Sequence, residues 1–325
     1  MKKINPAFHA VLALISGVSL PHAADAQNYP TRPVRIVVPF PAGSGVDIMT
    51  RFFSAKLSEA LGQQFAVDNR AGAAGNIGVE LVARSAADGY TLVTAPSSSA
   101  IGQSLYKNLS FDLARDFEAV AMFASAPFML VVHPSLPVRD VKQLIALATS
   151  RPGQLTYAST GSGSAPHLSA EMFKIQSRTD ILHVPYKGTP PALTDLVGGQ
   201  VDMLFASTVS ILPQLKAKRV RALAIAGTKR SNILPDLATF SESGMPAYDA
   251  GTWFALLAPA HTPQDIVRRL NAAVVRVGQA ADMRERIAAE GADPIGGSPE
   301  QTAAFIKSEI TKWGKVIAAS GVRAD

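Results

Sequence analysis

The chain has 325 residues, 47% of them hydrophobic, and 31 Lys and Arg against 25 Asp and Glu give a formal charge of +6. It contains no cysteine, which excludes disulfides, cysteine–zinc sites and thiol nucleophiles and leaves packing to supply the stability. The basic excess is spread out, with no Lys/Arg run among aromatics, which excludes nucleic acid as a partner, and a chain this long and apolar fills two cores rather than staying disordered.

In chain order, the first feature is the layout of a secretory signal: Lys2 and Lys3, an apolar run at 10–20 (AVLALISGVSL), and Ala24-Asp25-Ala26 as a cleavage site. The run is far short of the ~20 residues that span a bilayer. Residues 1–26 are therefore expected to be a signal peptide that delivers a mature chain from Gln27 to the periplasm, with no cysteine for a lipid anchor. Beyond it, short apolar runs alternate with amphipathic ones, which predicts an α/β fold with helices on a mainly parallel sheet. Strands are expected at 34–40, 64–68, 91–95, 155–159, 181–185, 201–206, 221–226 and 253–259. Helices are expected at 48–61, 138–150, 168–176, 189–197, 263–280 and 299–319.

The stretch 119–133 (AVAMFASAPFMLVVH) is too long for one strand of a compact domain, and Pro127 interrupts it, which predicts two strands, the second crossing between lobes. The return crossing is expected after 221–226, through the polar loop 227–249 with Pro235 and Pro246. The first lobe is then discontinuous, 27–128 with 228–325, and the second is 129–227.

One arrangement occurs twice, once in each lobe: a buried strand, a loop of small residues, then a helix. The copies are VRIVVPF-PAGSGVD-IMTRFFSAKL and LTYAS-TGSGSAP-HLSAEMFKI. Such a loop leaves unpaired backbone N–H groups at the positive end of a helix dipole, which suits an anion, and glycine lets the backbone come close to it. Ser44 with Asp47 forms an S-x-x-D capping pattern, and Pro166 sits in the first turn of its helix. Both loops follow strand carboxyl ends, which points them at a shared crevice.

Neither loop has the later glycine of G-x-G-x-x-G, and no G-x-x-x-x-G-K-[ST] occurs, so no nucleotide and no other cofactor is expected. His133, His167, His183 and His261 show no metal-ligand spacing. His167 falls where its ring either reaches a bound anion or caps the loop locally. No G-x-S-x-G elbow occurs, so catalysis is not expected; a hydrolase using Ser162 or Ser164 is the alternative.

Several segments together resemble the Bug-type receptors of tripartite tricarboxylate transporters: YPTRPVRIVVPFPAG at 29–43, NRAGAAGNIG at 69–78, DGYTL at 88–92, HVPYKG at 183–188, VDMLF at 201–205, and Arg230-Ser with Leu234-Pro-Asp236. The resemblance implies a two-lobed type II periplasmic-binding-protein fold that closes on a carboxylate held by backbone amides and ordered waters. It implies ligand contacts from Phe40, Ala42, Gly43, Ser44, Gly45 and Asp47 in the first loop, and from Thr160, Gly161, Ser162, Gly163, Ser164 and His167 in the second. Further contacts match Gly75, Asn76, Ser97, Ser98 and Ser207. The implied partners are a small organic carboxylate (a di- or tricarboxylate, an acidic amino acid or an aromatic acid) and the membrane permease subunits of a transporter, with the receptor a monomer. A ligand-sensing partnership with a membrane sensor kinase is the other output. Ala42-Gly43-Ser44 replaces the family's frequent Gly-Gly pair, and Ala165-Pro166 its frequent Thr-Pro, both at the implied pocket. Arg51 and Arg70 also match, and Arg51, one turn into a helix, reads as a structural ion pair.

Overall fold

The computed structural model describes residues 28–227, 229–246 and 248–323. The expected signal peptide lies outside the described residues. The first lobe starts with β1 (Val34–Val38), α1 (Gly45–Leu61), β2 (Phe65–Asn69), a 3-10 turn (Ala73–Gly75), α2 (Asn76–Ala83), β3 (Thr91–Pro96) and α3 (Ser97–Leu105). After β4 (Phe117–Val132) come α4 (Val141–Ser150), β5 (Thr156–Ser159), α5 (Ala165–Ser177), β6 (Leu182–Pro185), α6 (Thr189–Val197), β7 (Met203–Ser207), α7 (Thr208–Lys216) and β8 (Arg221–Ile225). β9 (Gly251–Pro259) returns to the first lobe, followed by α8 (Gln264–Gln279), α9 (Ala281–Ala289), β10 (Asp293–Pro294) and α10 (Pro299–Ser320).

The local reasons are legible. β1 is VRIVV, rich in β-branched residues and buried on both faces. α8 buries Ile266, Leu270 and Val274 on one face, as their four-residue spacing requires. α10 starts with a capping box between Ser298 and Gln301, with Pro299 in its first turn, and stops at Gly321 in the left-handed region.

Strand order is β2-β1-β3-β9-β4-β7-β5-β6, with β10 and β8 also on β4. Two expectations are corrected here. The stretch 119–133 is one strand, not two: β4 pairs with β9 over Phe117–Pro127 and with β7 and β8 over Phe128–Val132, so it passes from one sheet into the other. Pro127 is tolerated because it sits where the strand changes sheets. The sheets are also mixed rather than mainly parallel. β1, β2 and β3 pair in parallel, as do β5, β6 and β7, but β9 runs antiparallel to both β3 and β4. A chain that crosses between lobes and comes back must run both ways at the crossing.

α10 ties the lobes together. Its first half packs Phe305, Ile306 and Ile310 with the core of the first lobe, and Trp313 packs, fully buried, in the core around Phe128, Tyr157 and Phe173. α3 does the same with Ile101 and Leu105, and Phe240, Met245 and Tyr248 join that second core. Between the two halves of α10, one oxygen of the buried Glu309 accepts from the indole N–H of Trp253 at 3.0 Å and of Trp313 at 3.1 Å.

Glu309→Ala leaves two buried indole donors without an acceptor, at about 1–3 kcal/mol each. It should lower the unfolding free energy by about 2–4 kcal/mol in urea titrations followed by tryptophan emission, and Glu309→Gln, which keeps an acceptor, should recover at least half of the loss. An alanine variant as stable as the parent would show that this carboxylate does not join the lobes.

Candidate functional site

Five helices begin at one cleft between the lobes. α1 and α3 come from the first lobe, after β1 and β3; α5, α6 and α7 come from the second, after β5, β6 and β7. β3 and β7 run into α3 and α7 without a connecting loop. The lining includes Ser44, Gly45 and Val46 at the start of α1, Pro96 and Ser98 at the start of α3, Ala165 and Pro166 at the start of α5, Thr189 at the start of α6, and Ser207 and Ser210 at the start of α7. Phe40, Phe128, Thr160, Ala206, Thr252 and Phe254 complete it, so no lining residue is charged. The cavity is about 50 Å³, room for one or two water molecules at about 30 Å³ each.

Its polar groups are unusual for a closed interior. Ser44, Ser97 and Ser164 are 3%, 0% and 0% exposed, yet their hydroxyls have no hydrogen-bond partner. Ser44 and Ser164 are the residues that precede α1 and α5, and neither side chain caps its helix. The S-x-x-D pattern is thus not used as a cap. Asp47 instead accepts from the Gly43 N–H at 2.9 Å, from Asn69 Nδ2 at 2.9 Å and from Arg51 Nε at 3.0 Å. Burial pushes the Asp47 carboxyl up, but these three donors outweigh it and hold the group below its ordinary range. Arg51 is the structural ion pair that its place in the helix implies, and Asp47 holds the first loop in shape.

The second loop has its own support. His167 Nδ1 accepts from the Gly163 N–H at 3.0 Å, so of the two roles open to it the ring takes the local one. His183 stacks on His167 at 4.0 Å between ring centres and on Tyr157 at 4.9 Å. His183 Nε2 is 2.6 Å from Ser159 Oγ, and that hydroxyl also accepts from the Gly161 N–H at 3.2 Å. Tyr157 Oη in turn donates to Glu171 at 2.6 Å. Burial is the main reason that both imidazoles titrate low. His183, beside the His167 ring, is pushed down to about 4 from an ordinary 6.5, and His167 is lowered with Glu171 opposing the shift.

The sequence-predicted residues thus divide. Phe40, Ser44, Gly45, Ser98, Thr160 and Ser207 line the cleft. Ser97 and Ser164 are buried next to lining residues. Ala42 and Gly43 lie at the exposed lip, with Gly43 opposite Pro190; Gly161 and Ser162 lie at the other, where Tyr106 Oη donates to the Ser162 carbonyl at 3.3 Å. Gly163 faces Leu105 across the lobes. Gly75 packs on the Phe40 ring and Asn76 against Gly102 of α3, so both act from behind the lining. Sequence reasoning missed Thr189 and Ser210, although Gly188-Thr-Pro-Pro is a helix-start signal. It also missed Phe128, Thr252 and Phe254, which sit where β4 and β9 cross.

A larger cavity of about 610 Å³ lies behind the crossing strands. No helix begins among its lining residues, and Lys312 there is taken up by Asp249 and Glu309. Converging helix starts and unpartnered hydroxyls make the smaller cleft the candidate site.

Known proteins resemble the chain over most of its length. Residues 49–322 match the family described as "Tripartite tricarboxylate transporter family receptor". The chain is 38% identical to protein BugT of Bordetella pertussis over 310 residues, which is 95% of this chain and 94% of BugT. Among solved structures, it is similar to Rpa4515 of R. palustris with adipate at TM-score 0.89 and 38% identity, covering 91% of this chain and 99% of that one. It is also similar to MatC of Rhodopseudomonas palustris with bound malate at TM-score 0.83 and 33% identity, covering 89% and 100%. The two-lobed fold expected from the sequence is the fold of these solute-binding proteins.

The low titration of His183 makes a stability prediction. The folded form binds its proton only below about 4 whereas the unfolded chain binds it near 6.5, so stability is full above 6.5 and falls as pH drops through that window. Between pH 7 and 4 the loss should be about 2–3 kcal/mol in urea unfolding, and His183→Phe should flatten that part of the profile. An unchanged slope in the variant would assign the acid sensitivity elsewhere.

Proposed function

This chain belongs to the tripartite tricarboxylate transporter receptor family, and from that premise we propose that it is a periplasmic receptor that captures a small organic carboxylate between its lobes and presents the closed form to the membrane permease subunits of a transporter. It is a binding protein, not an enzyme. Adipate and malate in two neighbours support the ligand class. The observation that carries the reading is the set of five helix starts at a cleft lined by no charged side chain, with the unpartnered hydroxyl of Ser44 in its lining and those of Ser97 and Ser164 buried beside it.

A carboxylate there accepts from backbone N–H groups, with ordered waters and serine hydroxyls completing its shell. Such charge-assisted bonds in a partly dry cleft support micromolar binding, about −8 kcal/mol. Removal of residues 1–26 delivers the receptor to its compartment. The bodies that close follow the expected division, 27–128 with 228–325 and 129–227, except that Phe240, Met245 and Tyr248 pack in the second core and move with it; the bodies are joined through β4 and β9, and the ligand drives closure because only the closed form offers both sets of donors. The serines offer no hydrolytic alternative. The Ser164 hydroxyl has no partner, and the Ser–His pair of this region involves Ser159, which is 0% exposed beneath the loop.

Gly45 gives a clean test. A Cβ there meets the other lobe, 2.7 Å from Ser207 Oγ and 2.9 Å from Ser210 Oγ. Gly45→Val should keep the thermal midpoint of the ligand-free protein within a few degrees and lower carboxylate affinity at least tenfold by calorimetric titration. Parental affinity in this variant would place the ligand elsewhere, and conversion of the acid would overturn the receptor reading.

A further inference from the structure

The second loop is held from two sides. Behind it, in its own lobe, the Gly163 N–H donates to His167 Nδ1 at 3.0 Å and the Gly161 N–H to Ser159 Oγ at 3.2 Å. In front, the other lobe grips it along α3. Ser98 Oγ accepts from the Ala165 N–H at 3.2 Å, Leu105 packs on Gly163, and Tyr106 Oη, just past the helix, donates to the Ser162 carbonyl at 3.3 Å. The rear hold depends on protonation and the front hold on closure.

An imidazole nitrogen accepts a hydrogen bond only while it carries no proton. The Gly163 bond therefore fixes His167 as the neutral tautomer with its hydrogen on Nε2, and a second proton must arrive at Nδ1, where Gly163 already points. That sets two donors against each other, and one of them must move. With the lobes apart, only the rear contacts hold the loop and Gly163 yields. With the lobes together, Ser98, Leu105 and Tyr106 keep Gly163 in place, so the closed form excludes the proton.

The surroundings leave the outcome to this one ring. His183 lies flat on it, 4.0 Å between centres and 7° between planes, so a charge on either ring opposes a charge on the other. A proton on His183 Nε2 breaks no loop bond, because Ser159 Oγ, 2.6 Å away, accepts as readily as it donates. α5 itself carries Glu171 and Lys174, 2.8 Å apart, which act on both rings in opposite directions. On β5, Tyr157 donates to Glu171; beyond β6, Tyr186 donates to Asp195; and Tyr248 donates to the Ser169 carbonyl. α3, β7 and β9 pack on α5 without an ionisable side chain of their own, and α10 brings Glu309 and Lys312, which pair at 3.4 Å.

We propose that closure of the lobes and protonation of His167 exclude each other, so that acid loosens the second loop, opens the cleft and releases the ligand. The proposal rests on the carboxylate reading above and concerns its regulation. Burial lowers the titration of His167 from its ordinary 6.5, so affinity is full above that pH and declines as the pH falls below it. By the same linkage, a ligand that binds in acid drives a proton off the ring.

The test is calorimetric titration with adipate, malate, citrate, glutamate and benzoate at pH 7.5, followed by titration of each acid that binds in steps down to pH 4.5. Parent and His167→Asn are compared, since the side-chain oxygen of asparagine accepts as Nδ1 does and takes up no proton. Each protein is referred to its own affinity at pH 7.5, so ionisation of the ligand cancels between them. By pH 4.5 the parent should lose at least threefold more affinity than the variant. In acid its binding should also release more protons, read from the dependence of the heat on the buffer. Without any variant, NMR of the ligand-free protein should show the Gly163 amide moving as the His167 ring titrates, and saturating ligand should shift that titration to lower pH. Parallel affinity profiles, or a Gly163 amide that stays in place while His167 titrates, would overturn the proposal and leave a carboxylate receptor. Failure of all five acids to bind at pH 7.5 would overturn the carboxylate reading and this proposal with it.

Discussion

β4 is bonded to β9 along its first part and to β7 and β8 along its last, so two lobes share one length of backbone. The chain that leaves along β4 comes back along β9, antiparallel and adjacent. At the crossing the two strands come so close that a Cβ on Gly251 would lie 2.9 Å from the Ala126 carbonyl oxygen. That shared ribbon places the carboxyl ends of β1 and β3 opposite those of β5, β6 and β7, and every helix that follows them begins at the same cleft. Phe128, Thr252 and Phe254 enter the lining for the same reason: they are the floor formed by the crossing itself.

With that geometry the cleft needs no charged side chain. Peptide N–H groups at helix starts are rigid and cost nothing to hold in place, whereas an arginine buried there would have to be desolvated in the closed form and neutralised when no ligand is bound. The ionisable groups stand one layer back and shape the loops. Asp47, with Arg51 and Asn69, fixes the first loop through the Gly43 N–H. His167, stacked on His183, fixes the second through the Gly163 N–H. The imidazoles are kept neutral mainly by burial, and a neutral Nδ1 is what accepting an N–H bond requires.

This division explains what the sequence disclosed. The strands and long helices were legible to within a few residues because their apolar periodicity is strong: 299–319 was expected and Pro299–Ser320 is observed. α3 (SSSAIGQSL) and α7 (TVSILPQLK) were not legible from pattern. α3 is buried at seven of its nine positions, so it lacks a polar face, and α7 carries Pro213 in its interior. Both follow a strand directly, without the glycine-rich loop that flagged α1 and α5. Two of the five helix starts at the cleft were therefore hidden, and Ser97, Ser98 and Ser207 came from the family resemblance alone. The single strand β4 was misread because Pro127 ordinarily ends a strand, and the sequence alone does not indicate a strand that changes sheets.

The loop glycines take on a different meaning in the fold. From sequence, glycine in such a loop reads as room for a ligand against the backbone. In the structure, a Cβ on Gly45 would strike Ser207 and Ser210, one on Gly163 would strike Leu105, and one on Gly188 would come within 2.7 Å of Pro41. In all three cases the obstacle belongs to the opposite lobe. These glycines are small so that the lobes can meet, and it is their meeting that brings the helix starts near enough to share one anion. Gly163 and Gly188 also take positive φ, +77° and +111°, so each combines a backbone turn with an interlobe contact. The capacity to bind an acid thus depends less on open space beside the backbone than on how closely two backbones can be brought together. That accounts for a cleft of only about 50 Å³ between two lobes of this size.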